Sequence, residues 1–455
     1  MLDFIFNAKN VAVIGASDRP GKIGFEIFRN IVEGGFQGKI YPINPKITEL
    51  MGHTCYRTIK DVPDTVDLAV IVIPAPIIPE VLEQCGEKGV KGVIIISAGF
   101  SEVGNFELEN KIVNIARKYG MRIVGPNCAG IVNTHQNLFP TIEVRPPKGF
   151  IAFVSQSGAL GGAILMKAKE EQFGISIFAS YGNACDVNES DILEYLMEDE
   201  NSKVVVIYIE AVKNGRRFIE TSRKLSLKKP LIGIKAGKTE AGTRAVASHT
   251  GSLAGQEKIY EAAFKQAGII SVEDFDEMFD ISKVLLHQPP AKGNKIAIIT
   301  NSGGPAVMLT DACETFGLKI PPTPEKTKKK LSFLPHVCSL ENPIDLVADA
   351  SYERYRKTLE TLVVEDWIDG IIVVHVPPVW IDAREPAKAV VDVYKQGVNK
   401  PIIACWMAGE PVKEAIKILE ENNIPNFPTP RKAAKAMWAL VERGKILKRL
   451  KEQQL

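Results

Sequence analysis

The residue best placed for chemistry in this 455-residue chain is His249, in the loop Ala247-Ser248-His249-Thr250-Gly251-Ser252. Residues 253–268 repeat apolar side chains at helical spacing, which predicts a helix whose free backbone N–H groups lie beside the histidine. Such a helix start attracts anions. An imidazole beside it is suited to attack on phosphorus, while the N–H groups neutralise the transferred oxygens. A surface histidine in a permissive loop is the alternative.

Glu210 is the second candidate catalytic residue, because it directly follows the β-branched run 204–209. A carboxylate at the carboxyl end of a parallel strand lies at the edge where ligands bind. It could accept the ring N–H of His249, fix the tautomer and stabilise the cationic ring. A strand-end glutamate that only faces water is the alternative.

Two further loops lead from a buried strand through serine and glycine into a helix. The residues expected to bind phosphate are Ser155, Ser157 and Gly158 in one loop and Ser302, Gly303 and Gly304 in the other. Hydroxyls cap helices there and bare N–H groups point outward. If the domains pack face to face, the two helix starts could hold one phosphate beside His249. Two ordinary helix caps are the alternative.

The elements that must position these residues alternate along the chain. Short β-branched runs are followed by longer helical patterns, which is typical of α/β domains with parallel sheets. Three such domains are expected, over residues 1–145, 146–288 and 294–455. A Pro-rich stretch at 140–149 ends the first, and the Pro- and Gly-containing linker at 288–293 ends the second.

The first domain has a glycine loop after its first strand but lacks the GxGxxG spacing of a dinucleotide fingerprint. After the second strand, where a nicotinamide-binding fold would place an acid, the sequence has Asn44-Pro45-Lys46. A lysine favours a nucleotide with an extra phosphate over NAD. Glycines that serve only to turn the chain are the alternative.

Composition excludes several classes of protein. The net charge of +2 and the absence of a dense basic block argue against nucleic acid binding. Seven widely spaced cysteines without a CxxC pair predict neither a disulfide framework nor a zinc site, and they fit a reducing cytoplasm. We expect no bound metal, no signal peptide and no membrane span.

These motifs together resemble the alpha subunit of ADP-forming acetyl-CoA synthetase, also called NDP-forming acyl-CoA synthetase, in the succinyl-CoA synthetase superfamily. Gly125-Pro126-Asn127, residues 154–158 and residues 248–252 have the order and spacing of that family. Residues 301–304 and 342–345 look like the ligase domain that succinyl-CoA synthetase has on its beta subunit.

The resemblance implies a Rossmann-like CoA-binding domain followed by two flavodoxin-like ligase domains. It implies the reaction of acyl-CoA, ADP and phosphate to give a carboxylic acid, CoA and ATP, through an acyl phosphate and a phosphohistidine at His249, with Glu210 orienting the histidine. The residues expected to contact CoA are Gly15, Ser17, Arg19, Lys22, Asn44, Pro45, Lys46, Pro74, Ser97, Ala98, Gly99 and Asn127.

The resemblance also implies a partner, because the chain shows neither an ATP-grasp domain nor a GxxxxGK[ST] loop. ADP or ATP with Mg²⁺ is expected on an ATP-grasp beta subunit, in an α2β2 heterotetramer. An extended half of the loop 238–248 would reach on the order of 20 Å, far enough to transport a phosphoryl group. An NAD-dependent oxidoreductase and a non-catalytic CoA-binding sensor are the alternative functions.

Overall fold

The computed structural model describes residues 2–244 and 257–453. The chain divides into two compact units, Met1–Val272 and Glu273–Leu455. The predicted histidine loop, including His249 and the start of the helix after it, lies outside the described residues.

The first unit opens with a five-stranded parallel sheet. The strands of residues 10–124 are β1 (Asn10–Ile14), β2 (Lys39–Ile43), β3 (Glu49–Leu50), β4 (His53–Thr54), β5 (Leu68–Ile71), β6 (Gly92–Ile95) and β7 (Arg122–Val124). The helices are α1 (Asp3–Phe6), α2 (Ile23–Glu33), α3 (Ile78–Lys88) and α4 (Phe106–Tyr119). The sheet order is β2-β1-β5-β6-β7, and β3 pairs with β4 in a separate hairpin. Its strands are nearly continuous apolar runs, as expected for a parallel sheet with both faces covered.

A second sheet of the same unit has six strands. They are β8 (Ile131–Asn133), β9 (Lys148–Ser155), β10 (Ile175–Ser180), β11 (Val204–Ile209), β12 (Leu231–Lys235) and β13 (Ile269–Ser271). The helices are α5 (Gly158–Glu170), α6 (Glu189–Glu198), α7 (Gly215–Lys228) and α8 (Glu257–Ala267). The order is β13-β12-β11-β9-β10-β8, parallel except for β8, which is antiparallel to β10. Strand β8 thus joins the second sheet, although its sequence precedes residue 145.

The two sheets of the first unit share one apolar core. A single cluster of buried residues includes Val11 and Phe28 from the first sheet and its helix, and Ile207 and Leu231 from the second sheet. The carboxyl ends of the two sets of strands are therefore held at a defined separation, since close-packed interiors do not deform continuously.

The second unit contains a four-stranded parallel sheet. Its strands are β14 (Ile296–Thr300), β15 (Ile344–Asp345), β16 (Gly370–His375) and β17 (Ile402–Trp406). Its helices are α9 (Phe275–His287), α10 (Gly303–Thr315), α11 (Glu325–Lys330), α12 (Tyr352–Val363), α13 (Arg384–Tyr394), α14 (Lys413–Glu421) and α15 (Pro430–Glu452). The sheet order is β15-β14-β16-β17. Helix α9 packs on α15, with Lys435 Nζ 2.7 Å from Glu277 Oε1.

Each of the seven cysteines is a free thiol. Within the described part of the chain, no helix is long and apolar enough to cross a membrane.

Candidate functional site

A cavity of about 690 Å³ lies in the first unit, between loops that follow strands of both sheets. Ile73 and Ser97 come from the loops after β5 and β6, and Ser157 and Glu210 come from the loops after β9 and β11. The sequence-predicted site residues in its lining are Pro74, Ser97, Ala98, Asn127, Ser157, Gly158 and Glu210. The structure therefore brings predicted CoA-contacting residues and predicted phosphate-binding residues to one cavity.

The first-sheet wall of the cavity is built from ordered loops. Ser97 Oγ donates to the Ile73 carbonyl at 2.6 Å, which joins the loops after two neighbouring strands. Asn127 donates its backbone N–H to the Ser97 carbonyl at 3.0 Å and has a left-handed φ of 57°. Asparagine is among the few non-glycine residues that adopt this conformation readily, which explains its use at this turn.

The second-sheet wall contains the start of helix α5. Ser157 caps the helix, and its Oγ accepts the Leu160 N–H at 3.4 Å. Gly158 is the first helical residue and lines the cavity. Ser155 is fully buried and donates its hydroxyl to the Ser157 carbonyl at 2.6 Å, so it shapes the turn without lining the cavity. The free N–H groups of this helix start make the wall suitable for an anion.

Glu210 is fixed beside the same helix start by Gln156. Gln156 Oε1 accepts the backbone N–H groups of Glu210 and Ala211 at 2.9 and 3.0 Å. On the other side, Lys235 Nζ donates to the Glu210 carbonyl at 2.9 Å. Glu210 is 5 % exposed and lines the cavity. A buried carboxylate and a helix start with free N–H groups thus share one wall of the cavity.

Further carboxyl groups line the cavity. Burial raises the pKa of Glu143 and of Glu189, and the negative charge of Asp191 raises the pKa of Glu189 further. Lys213 is the cation in the lining, and its Nζ donates to the Asn183 and Ala184 carbonyls at 2.9 Å each.

The remaining predicted CoA-contacting residues lie in loops at the carboxyl edge of the first sheet, outside the cavity lining. They are Gly15, Ser17, Arg19, Lys22, Asn44, Pro45, Lys46 and Gly99. Asn44 Nδ2 donates to the Ala16 carbonyl at 2.7 Å, so the loops after β1 and β2 lie side by side. Arg19, Lys22 and Lys46 are exposed there. Ile23, next to Lys22, does line the cavity, which makes this cationic edge continuous with it.

Gly15 is required by the close approach of two loops. Its φ is +94°, and a Cβ built on it would lie 2.4 Å from the Val72 carbonyl oxygen. The first glycine of the loop therefore permits packing of backbone against backbone, although the loop lacks the GxGxxG spacing.

The predicted phosphate-binding residues Ser302, Gly303 and Gly304 lie at the start of α10 in the second unit. Thr300 Oγ1 donates to the Ser302 carbonyl at 2.9 Å, which repeats the bond between Ser155 and Ser157. Asn301 holds the loop to β16 through both of its amide atoms, at 2.8 and 2.9 Å from the backbone of Val376. Gly303 and Gly304 are exposed.

Sequence reasoning missed four polar residues of the lining: Glu143, Gln156, Glu189 and Lys213. Gln156 lies inside the Ser-Gln-Ser-Gly motif, and Lys213 follows Glu210 in the same loop. Their closeness in sequence to predicted site residues could have indicated that they line the site. Nothing in the local pattern indicated that Glu143 and Glu189 face a cavity. Among the described residues, no group of His, Cys, Asp and Glu side chains could hold a metal ion.

Three family models match successive parts of the chain. A CoA binding domain matches residues 9–134, a succinyl-CoA ligase like flavodoxin domain matches residues 148–285, and a Ligase-CoA domain matches residues 296–442. The predicted fold, a CoA-binding domain followed by two succinyl-CoA-synthetase-type ligase domains, is confirmed.

Curated relatives match nearly the whole chain. The acetate–CoA ligase (ADP-forming) II subunit alpha of Pyrococcus furiosus is 46% identical over 452 residues, covering 98% of both chains. The acetate–CoA ligase (ADP-forming) of Methanocaldococcus jannaschii is 47% identical over 441 residues, which cover 96% of this chain and 62% of that protein.

A solved structure has the same fold over the full length. The dinucleotide forming acetyl-coenzyme A synthetase 1 of Ca. Korarchaeum cryptofilum, in complex with phosphate and ADP, superposes with a TM-score of 0.95 at 39% identity. The match covers 100% of this chain and 99% of that chain.

Proposed function

Because the chain belongs to the family of ADP-forming acetate–CoA ligase alpha subunits, we propose that it is the alpha subunit of an ADP-forming acyl-CoA synthetase. The complete enzyme converts acyl-CoA, ADP and phosphate into a carboxylic acid, CoA and ATP. The observation that supports this proposal most is the cavity, where loops of a CoA-binding domain face a helix start suited to phosphate.

The first chemical step takes place in that cavity. Phosphate, held at the N–H groups around Ser157 and Gly158, attacks the thioester carbonyl carbon. The carbon–sulfur bond breaks, an acyl phosphate forms, and the proton lost by phosphate is balanced by protonation of the CoA thiolate. Helix N–H groups suit this step because they stabilise negative charge without reorganising.

The second step uses His249 as nucleophile. A ring nitrogen attacks the phosphorus of the acyl phosphate, the bond from phosphorus to the acyl oxygen breaks, and the carboxylate leaves. Glu210 accepts the other ring N–H and stabilises the phosphorylated ring. The position of Glu210 in the cavity wall supports this role.

CoA binds along the carboxyl edge of the first sheet. Arg19, Lys22 and Lys46 are exposed cations at this edge and suit the phosphates of CoA. The apolar side chain of Ile23 leads from them into the cavity and suits the uncharged pantetheine arm. Five further residues of the same loops are proposed to contact CoA through backbone or side-chain atoms: Gly15, Ser17, Asn44, Pro45 and Gly99.

The nucleotide site belongs to a partner. The Pyrococcus relative is named as a subunit, and the Methanocaldococcus relative is a longer single chain. We place ADP or ATP with Mg²⁺ on an ATP-grasp beta subunit, in an α2β2 heterotetramer, and we give Ser302, Gly303 and Gly304 a second phosphate-binding role. The domains proposed are residues 1–145, 146–288 and 294–455, and the free thiols fit a cytoplasmic enzyme.

A reconstitution experiment tests the proposed function. The chain is combined with an ATP-grasp beta subunit and assayed for ATP formation from ADP, phosphate and a panel of acyl-CoA substrates. Wild-type complex should make ATP, and His249→Ala should reduce the rate at least about 1000-fold, because the nucleophile is lost. An active His249→Ala complex would exclude the phosphohistidine, and CoA binding without any turnover would favour a CoA-binding sensor.

A further inference from the structure

The side chain of Asn183 joins the two walls of the cavity. Asn183 follows β10 of the second sheet and lines the cavity. Its Nδ2 lies within hydrogen-bond distance of three acceptors on the first-sheet side: Glu102 Oε2 at 2.6 Å, Glu109 Oε2 at 3.0 Å and Ser101 Oγ at 3.1 Å. Its Oδ1 accepts a hydrogen bond from Asn127 Nδ2 at 3.3 Å.

An amide is the group that these neighbours require. Two carboxylates, Glu102 and Glu109, face the nitrogen, so a donor must lie between them. Burial acts to raise the pKa of Glu102, but hydrogen bonds from Asn183 and from backbone N–H groups lower that pKa below its ordinary value. The carboxylate is thus charged, and a bond between an amide and a charged acceptor is among the stronger hydrogen bonds of a protein.

Glu102 connects the side chain of Asn183 to the loop after β6 of the first sheet. Its Oε1 accepts the backbone N–H groups of Gly99 and Phe100, at 2.5 and 3.1 Å. Ser97 and Ala98, immediately before them, line the cavity. The side chain of Asn183 therefore locates the loop on which the proposed CoA contacts lie.

The backbone around Asn183 is held separately from its side chain. Asn183 and Cys185 donate their N–H groups to the Pro126 and Gly125 carbonyls at 3.0 and 3.1 Å, and Val187 donates to the Ile123 carbonyl at 3.0 Å. These bonds do not depend on the residue type at position 183. A change of the side chain should accordingly shift the first-sheet loop without detaching the second-sheet segment.

We propose that Asn183 is a positioning residue that sets the distance between a thioester on the first-sheet wall and phosphate at the start of α5. This inference rests on the proposed function, which places the two reactants on opposite walls. Attack needs the reacting atoms within about 3–3.5 Å and aligned. The step from acyl-CoA to acyl phosphate needs both walls, whereas transfer from acyl phosphate to His249 needs only the second.

Two labelling routes separate these steps. Purified chain is incubated with acetyl-CoA and radiolabelled phosphate, or directly with acetyl phosphate labelled on phosphorus, and phosphorylation rates are measured. For Asn183→Asp, which places a third carboxylate beside Glu102 and Glu109, the first route should slow about 10- to 100-fold. The second route should stay within about threefold of wild type, because the backbone bonds that hold the second-sheet segment do not depend on the side chain at position 183.

A reciprocal exchange tests the hydrogen bond itself. In Asn183→Asp with Glu102→Gln, the glutamine amide can donate to the new carboxylate while its oxygen still accepts from Gly99 and Phe100. This double variant should recover part of the acetyl-CoA route. If Asn183→Asp does not fold, Asn183→Ser removes the amide without adding charge. It should likewise slow the acetyl-CoA route and leave the acetyl phosphate route near the wild-type rate.

Asp186→Asn is the matched control. Asp186 lies on the same segment as Asn183 and accepts a hydrogen bond from Arg122 Nε at 2.9 Å, but it does not line the cavity. Both routes should stay within about threefold of wild type in this variant. Equal losses on both routes in the Asn183 variants, or no loss on either, would overturn the inference. A wild-type chain unlabelled by acetyl phosphate would instead overturn the proposed function and the inference with it.

Discussion

Gln156 and Glu210 show how one side chain can organise a wall of the cavity. The side-chain amide oxygen of Gln156 accepts hydrogen bonds from two consecutive backbone N–H groups, those of Glu210 and Ala211. This contact spans 54 residues of sequence and brings the loop before α5 to the end of β11. The motif Ser-Gln-Ser-Gly thus contains both the serine that caps α5 and the glutamine that holds the backbone of Glu210 in place. The spacing of its residues alone did not indicate the role of the glutamine.

His375 is a buried residue that the proposed mechanism does not use. It lies in an apolar strand, and the structure buries it completely in β16. Its Nδ1 lies 3.1 Å from the Tyr355 hydroxyl, whereas Nε2 has no hydrogen-bond partner within the described residues. Burial lowers the pKa of His375 to about 4.

We predict that His375 makes the second unit sensitive to acid. The unfolded chain binds the proton at about pH 6.5 and the folded chain only near pH 4, so unfolding takes up a proton between these values. The stabilising contribution of the neutral ring is complete above about pH 6.5 and falls by about 3 kcal/mol as the pH drops towards 4.

Urea unfolding of wild type and His375→Phe at several pH values measures this contribution. The free-energy difference between the two proteins should change by about 3 kcal/mol over that range, in favour of the variant at low pH. Exposed His336→Phe is the control and should follow the wild-type curve. Parallel curves for wild type and His375→Phe would show that His375 does not titrate in this way.

At the scale of elements, the sequence predicts long features well and short ones poorly. Strand β11 occurs where the run 204–209 predicted it, because a strand covered on both faces must be apolar throughout. Strand β8 was missed, since three residues contain too little pattern to indicate a strand. Its antiparallel pairing with β10 depends on tertiary packing.

The predicted site shows the same division. Residues in loops directly after predicted strands, such as Ser97 and Glu210, line the cavity because parallel strands place their carboxyl ends at one edge. Ser155 was expected in such a loop but is the last residue of β9, and its side chain is buried against the turn. Glu189 reaches the cavity through the fold of the loop after β10, and no local spacing encodes that path.

Helix α5 and helix α12 allow a matched test of the proposed phosphate site. Ser157 caps α5 and Ser351 caps α12, each by accepting a backbone N–H at 3.4 Å. Alanine at either position should destabilise the protein by about 1 kcal/mol. Only Ser157→Ala should also raise the KM for phosphate, by about 5- to 10-fold, since its hydroxyl lies in the cavity wall.

Steady-state kinetics of the reconstituted enzyme, with urea unfolding alongside, checks both effects. An unchanged KM for phosphate in Ser157→Ala, together with the expected loss of stability, would reduce Ser157 to an ordinary helix cap. An equal rise in Ser351→Ala would show that the KM reports stability and not the site.

At the scale of the whole molecule, the matches to family models and relatives confirm the resemblance found in the sequence. The motifs sufficed for this because their order along the chain is itself specific. What the sequence could not provide is the cavity, since its two walls include residues more than 100 positions apart, such as Ser97 and Glu210.

The proposed division of labour between subunits predicts where the phosphoryl group goes. Phosphorylated chain incubated with ADP and Mg²⁺ alone should keep its label, because the nucleotide site is on the partner. Addition of the ATP-grasp beta subunit should move the label to ATP, which thin-layer chromatography resolves. Label transfer to ADP without the partner would place a nucleotide site on this chain.

Phosphorylation of His249 can be measured on the isolated chain. Purified chain is incubated with acetyl-CoA and radiolabelled phosphate in the absence of ADP, and the protein-bound label is tested for stability in acid and alkali. A phosphohistidine at position 249 should give an acid-labile, alkali-stable phosphate on wild type and none on His249→Ala. Equal labelling of His249→Ala and wild type would contradict it.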